Sequence, residues 1–263
     1  MPRASVNGTE LHYQDTGSGK DVVLLLHAFP LHSGMWRRQV AALEKKHRVI
    51  APDYRGLGKS AARGEPSTME ILAQDVRALL AHLRVERAAV AGLSMGGYLS
   101  FELYRQLPGL FRGLALCDTR AGADTDEARA NREKFAQNAI EKGLGWVGDD
   151  FVPKLLKPQP DPEAVKEVRA LVNGGTPAGV AAAQRGMAKR PDSTPTLATI
   201  GCPTLVLVGE QDGLTPPAES EKMAAAIKGA KLVKVPNAGH LPCIENPEPF
   251  TKALVEFVGR LPA

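Results

Sequence analysis

Arg87-Ala88-Ala89-Val90-Ala91-Gly92-Leu93-Ser94-Met95-Gly96-Gly97-Tyr98 is the stretch whose reading decides the fold. The run from Ala88 to Ala91 is short and apolar without alternation, as a strand covered on both faces of a parallel sheet must be. The strand, spanning Arg87 to Ala91, turns sharply at Ser94 and passes into a helix running to about Leu107. A strand that turns directly into a helix leaves little room at the corner. Gly92 and Gly96, lacking Cβ atoms, let the two elements approach there. The residue between them is driven towards a sparsely populated backbone conformation, a strain of roughly 1–3 kcal/mol that the surrounding fold must hold. What the strain achieves is placement: the Ser94 hydroxyl stands clear of the sheet at the positive end of a helix, a nucleophile elbow.

Gly-x-Ser-x-Gly by itself is expected by chance roughly 0.09 times in a chain with this Gly and Ser content, so the pattern needs context. Working outward from it, the context is strand alternating with helix. Before the elbow, Asn7-Gly8 supplies the positive-φ pair of a tight hairpin turn within Ala4–Gln14. Val22–Leu26 is a fully buried strand followed by a helix from about Met35 to Lys45. Arg48–Ala51 is the next strand, and it ends in a Gly-punctuated loop, Pro52 to Ser60. Ser67-x-x-Glu70 reads as a capping box opening a helix from Met69 to Leu83. After the elbow, Phe111–Cys117 is a further buried strand ending at Asp118. Strand–helix alternation of this kind requires a parallel sheet with right-handed crossovers.

From about Thr119 to Thr199 the alternation stops and helical patterns take over: Asp126–Lys142, Gly145–Leu156, Pro162–Val172 and Pro177–Lys189. An insertion placed after a strand's carboxyl end covers the side of the sheet where ligands bind, so residues 119–199 read as a helical cap. Residues 1–118 and 200–263 form the core around it. The strand Thr204–Val208, a helix Pro216–Ile227, the strand Lys231–Val235 and a final helix opened by Asn246-Pro247 complete the chain.

Composition excludes several classes. A net charge of +4 with scattered Lys and Arg argues against nucleic-acid binding. No early apolar run is long enough to span a membrane. Three widely spaced cysteines give neither a disulfide framework nor a zinc pattern, and a soluble cytoplasmic protein is the expectation. Oligomeric state is not legible.

A serine hydroxyl needs a base within hydrogen-bond reach. Of six histidines, His12 and His47 fall on edge or surface patterns, His82 on an exposed helical face and His32 in a loop. His27 ends a buried strand and reads as a structural hydrogen-bonding residue. His240 follows a strand and precedes the final helix, which makes it the candidate base. The imidazole in turn needs a carboxylate to fix its tautomer. Asp212 lies just past Thr204–Val208 and completes the order Ser94, Asp212, His240; Asp118, also at a strand's carboxyl end, is the rival. Glu210 and Glu245 read as solvated or capping groups, and Asp53 as a brace for the turn at Arg55-Gly56. An oxyanion hole requires two backbone N–H donors, here Met95 and, from the loop after Leu26, Phe29. Phe135, Leu144, Trp146, Val147 and Phe151 are the candidate substrate-binding residues of the cap, with ordinary helix packing as the competing role. Arg120 is a candidate for an acidic substrate, against the plainer reading of a solvated arginine.

Gly92-Leu93-Ser94-Met95-Gly96-Gly97, His27-Ala28-Phe29-Pro30, Asp53 to Ser60, Gly209-Glu210-Gln211-Asp212 and Asn237-Ala238-Gly239-His240 together resemble the α/β-hydrolase superfamily. The resemblance covers the chain except the cap. On size, cap position and the His-Ala-Phe-Pro loop, the chain is similar to small serine esterases and lactonases of the 3-oxoadipate enol-lactonase type and to the related cofactor-free haloperoxidases. It departs from the frequent His-Gly pair at His27-Ala28, where alanine disfavours positive φ. Serine at the elbow separates it from the dehalogenases and epoxide hydrolases of this fold, which use aspartate. The resemblance implies hydrolysis of a small-molecule carboxylic ester or lactone through an acyl-enzyme, with no cofactor and no metal. Alternatives on the same triad are C–C bond hydrolysis and perhydrolysis. A small-molecule receptor with residual hydrolysis is a further alternative.

Overall fold

The uninterrupted apolar runs become the centre of one sheet because no other arrangement buries both faces of a strand. In the computed structural model, which describes residues 2–62 and 66–262, these runs are β3 (Val22–Leu26), β5 (Ala88–Leu93), β6 (Phe111–Cys117) and β7 (Thr204–Gly209), and every residue in them is buried. Residues 1, 63–65 and 263 of the expected core lie outside the described residues. With β1 (Arg3–Val6), β2 (Thr9–Thr16), β4 (Arg48–Pro52) and β8 (Lys231–Val235), they form an eight-stranded sheet in the order β1-β2-β4-β3-β5-β6-β7-β8. β1 and β2 pair antiparallel through the Asn7-Gly8 turn, where both residues have positive φ, and β2 is antiparallel to β4. All other pairs are parallel.

Helices α1 (Arg37–Leu43), α2 (Met69–His82), α3 (Met95–Gln106), α8 (Pro217–Ala226), α9 (Pro242–Glu245) and α10 (Pro247–Gly259) belong to the crossovers and the carboxyl-terminal end. Between β6 and β7 the chain builds α4 (Asp126–Leu155), α5 (Pro162–Val172), α6 (Pro177–Ala188) and the short α7 (Thr194–Leu197). α4 is two helical segments broken at Gly143, whose φ of 76° and ψ of −177° leave the helical region.

Local chemistry differs from the sequence reading at three places. Thr68, not Ser67, caps α2: its side chain accepts from the Ile71 amide at 3.3 Å, while the Ser67 hydroxyl is buried without a partner among the described residues. Asn246 does not cap α10 through its side chain, which instead donates to the Pro236 carbonyl at 2.8 Å. His12 is buried, because the antiparallel β2 turns it towards Asp53, whose Oδ2 lies 2.8 Å from its Nδ1.

Candidate active site

The passage from β5 to α3 forces Ser94 into a strained conformation, φ 56° and ψ −111°. A Cβ on Gly92 would lie 2.2 Å from the Gly96 carbonyl oxygen, and one on Gly96 would lie 2.2 Å from that of Leu26. No residue with a side chain fits either position. The turn is held from β6: the Ser94 amide donates to the Cys117 carbonyl at 2.9 Å, and the Thr119 hydroxyl donates to the Ser94 carbonyl at 2.9 Å. From Ala88 to Tyr104, Ser94 alone is not fully buried.

His240 stands on the loop after β8, 2% exposed, with Nδ1 2.8 Å from Asp212 Oδ2. Asp212 is fixed in turn. Its Oδ1 accepts from the Leu214 and Thr215 amides at 2.9 and 3.0 Å, and Oδ2 accepts from the Thr215 hydroxyl at 2.7 Å. Burial would raise this carboxyl, but the charge of His240 and the bonds from His240 and Thr215 outweigh burial and lower it. Glu245, read as a solvated or capping group, is half-buried and accepts from the Gly239 amide at 2.8 Å and the Lys157 amide at 2.7 Å, tying the histidine loop to the end of α4.

Asp118, the rival carboxylate, is close but differently engaged. Its Oδ1 accepts from the Gly209 amide at 2.8 Å, and Oδ2 has no partner among the described residues that donates to it. Burial, and then the charge of Asp212, push the Asp118 carboxyl well above the usual carboxylate range. Asp118, Asp212 and His240 each offer one ligand atom within 4.8 Å of the others. A 2.8 Å contact between imidazole and carboxylate is a hydrogen bond and leaves no room for an ion between them.

His27 is bound into the structure on both nitrogens. Nδ1 lies 3.0 Å from the Ala28 carbonyl, Nε2 accepts from the Tyr54 amide at 3.1 Å, and the ring stacks on Tyr54 at 3.7 Å between centroids. The following loop turns without Ala28 entering positive φ. It brings Phe29 to the same cavity as Ser94, and neither the Phe29 nor the Met95 amide donates to a backbone carbonyl among the described residues.

That cavity, about 130 Å³, joins Ser94 and His240 to Phe29, Tyr98, Leu214 and Thr215 and to Arg120, Arg132, Phe151 and Met187 of the segment between β6 and β7. Of the five cap residues singled out from sequence, Phe151 lines it. Phe135 and Trp146 stand behind, Phe135 meeting Phe151 and Phe29 edge-on at 5.5 and 6.0 Å and packing on Trp146 at 5.0 Å. Val147 is fully buried in the core and Leu144 packs against it. Tyr98, Arg132, Met187, Leu214 and Thr215 line the cavity without having been singled out from sequence. Tyr98, Leu214 and Thr215 had a local signal, each within four residues of Ser94 or Asp212; Arg132 and Met187 had none. A larger groove of about 530 Å³, walled by His32, Arg37, Arg38, Glu163 and Glu167, contains neither Ser94 nor His240.

A serine hydroxyl sharing a cavity with an imidazole that is bonded to a carboxylate can be made nucleophilic, and backbone amides without another acceptor can hold an oxyanion. Comparison with known proteins gives the same direction. A family profile described as alpha/beta hydrolase fold matches residues 21–247. The chain is 33% identical over 232 residues to 3-oxoadipate enol-lactonase 1 of Acinetobacter baylyi, covering 86% of this chain and 84% of that protein. Among solved structures it is similar to a thermophilic esterase from Thermogutta terrifontis with malate bound, at 40% identity and TM-score 0.95 over 99% of both chains. It also matches the enol-lactonase from Burkholderia xenovorans LB400, at 32% identity and TM-score 0.91 over 98% of this chain and all of the other.

Proposed function

The chain belongs to the alpha/beta hydrolase fold family, and from that premise we propose that it is a carboxylic ester hydrolase opening small esters or lactones through an acyl-enzyme on Ser94. The observation that carries this reading is the strained Ser94 sharing one cavity with a His240 whose Nδ1 is hydrogen-bonded to Asp212. The esterase and enol-lactonase relatives support the same bond type.

In this mechanism Ser94 Oγ attacks the carbonyl carbon as its proton passes to Nε2 of His240. Asp212, holding Nδ1, fixes the tautomer and stabilises the cation that forms. The carbonyl oxygen gains negative charge and is held by the Phe29 and Met95 amides, each such donor being worth about 2.7–4 kcal/mol in the transition state. His240 then returns the proton to the departing alkoxide, which leaves as alcohol; in a lactone it remains attached to the acyl group. Water attacks the acyl-enzyme by the same path, giving the acid and free Ser94. Residues 119–199 act as a cap over the carboxyl ends of the strands, a role supported by Arg132, Phe151 and Met187 lining the same cavity as Ser94.

The test is Ser94→Ala. Its melting temperature should stay near that of wild type while hydrolysis of p-nitrophenyl acetate disappears. A fluorophosphonate should label wild type once per chain and the variant not at all; labelling that persists in the variant would remove Ser94 from the role.

A further inference from the structure

Glu245 places a carboxylate where two distant segments meet, and both hydrogen bonds it accepts among the described residues come from backbone amides. Oε2 accepts from Gly239, the residue before His240, and Oε1 from Lys157, just past the end of α4. Burial raises this carboxyl against the lowering influence of the Lys157, Gly239 and Leu241 amides, so the residues on either side of His240 both bear on it. The segments it joins are in close backbone contact. A Cβ on Gly239 would lie 2.4 Å from the Lys157 nitrogen and 2.7 Å from the Leu156 carbonyl carbon. At the end of β7, a Cβ on Gly209 would lie 2.0 Å from the Gly239 carbonyl oxygen. The loop that carries His240 is thus packed between a core strand and the carboxyl-terminal end of α4. The second segment of α4 also carries Phe151, which lines the cavity with Ser94 and His240.

We propose that Glu245 is a positioning residue for the base: its carboxylate clamps the His240 loop to the end of α4, so that His240 is aligned with Ser94 only while that end of α4 is docked. This deepens the hydrolase reading and rests on it. The bond from Nδ1 to Asp212 fixes one point of the imidazole and leaves the backbone beneath the ring to be held elsewhere. An ionised carboxylate suits that task, because hydrogen bonds to a charged acceptor are about twice as strong as neutral ones. Its two oxygens, held in one planar group, also fix the separation of the two amides. A carboxamide cannot do the same, having one oxygen that accepts and a nitrogen that only donates. Through this clamp the helix that supplies Phe151 to the cavity wall also sets the residue that moves the proton.

Two variants each open the clamp. Glu245→Gln keeps the shape but turns an amino group towards one of the two amides. Lys157→Pro removes the α4-side donor alone, and Leu156 already has the extended backbone, φ −116° and ψ 159°, that a residue before proline adopts. His240 moves the proton in acylation and deacylation alike. In both variants kcat for p-nitrophenyl acetate, counted per Ser94 labelled to completion by a fluorophosphonate, should therefore fall about tenfold or more with KM nearly unchanged. A residue that only stabilised the fold would lower the melting temperature and the labelled fraction, leaving kcat per labelled site at the wild-type value. Either variant that folds by circular dichroism and keeps that value overturns the clamp while leaving the hydrolase reading intact. Wild type supplies a measurement that needs no variant to fold: the Lys157 and Gly239 amides should exchange with deuterium through one shared opening, at equal protection. Exchange at Lys157 faster than at Gly239 by about tenfold or more overturns the clamp as well. If wild type neither hydrolyses the ester nor takes up the fluorophosphonate, the hydrolase reading fails and the positioning role falls with it.

Discussion

Asp212 and Asp118 close neighbouring strands, and the difference between them is one of partners. Asp212 holds His240 through Oδ2 and accepts from the Leu214 and Thr215 amides and the Thr215 hydroxyl; against burial, the charge of His240 and the bonds from His240 and Thr215 lower its carboxyl. Asp118 accepts from the Gly209 amide alone among the described residues and is pushed well above the usual carboxylate range by burial and by the charge of Asp212. Asparagine is therefore a poor mimic of Asp212 and a good one of Asp118, whose contact with the Gly209 amide an amide oxygen can keep. Asp212→Asn should lower kcat for p-nitrophenyl acetate by several orders of magnitude; the same change behind the histidine of a serine protease costs about 10⁴-fold. Asp118→Asn should cost less than about tenfold under the same conditions. The reverse ranking would transfer the orienting role to the end of β6.

Among the elements, α2 shows how one hydroxyl decides where a helix begins. Ser67 and Thr68 are adjacent and chemically alike, and both precede the same apolar stripe. The Ser67 amide is taken by the Ala182 carbonyl of α6 at 3.0 Å, which fixes its backbone outside the helix and leaves its hydroxyl buried. Thr68 is then the residue positioned to cap. Thr68→Ala should cost about 1 kcal/mol, measured by chemical denaturation. Ser67→Ala should cost less than half as much, and equal losses would return the cap to the earlier residue. The Ser67–Ala182 bond also ties α6 to the segment that leads into α2.

For the molecule as a whole, His27 makes stability depend on pH. Full burial lowers its pKa from 6.5 to about 4, against the raising influence of Asp53 and the Ala28 carbonyl. Between those two values the unfolded chain takes up a proton that the folded chain refuses. Stability from this residue is therefore complete above pH 6.5 and falls as the pH drops, by about 1.4 kcal/mol per pH unit and about 3 kcal/mol in all. Asp118 works oppositely: its raised pKa favours the folded state in acid and disfavours it as pH rises above 3.8. Comparing wild type with His27→Gln in urea at pH 7, 5.5 and 4.5 isolates the histidine. The stability gap between them should narrow as the pH falls, and a constant gap would show that His27 does not titrate this way.

What the sequence determined by itself was whatever local chemistry enforces. Apolar runs such as Val22–Leu26 are too short for a buried helix and read as covered strands, and the Gly92-x-Ser94-x-Gly96 corner admits no Cβ at either glycine. The order Ser94, Asp212, His240, with each residue past the carboxyl end of a strand, was legible for the same reason, as was the change to helices after Asp118. The membership of the cavity was not. Whether Phe135 or Phe151 faces Ser94 depends on how the two segments of α4 are set by the break at Gly143, and helical periodicity gives a stripe without saying what lies opposite it. His12 looked like an edge residue until β4 brought Asp53 against it. The convergence of Arg120, Arg132 and Arg190 on Asp124 joins residues up to 70 positions apart. Only the tertiary structure decided these, because a strand or a turn is fixed by neighbours along the chain, while the wall of a cavity is fixed by neighbours across space.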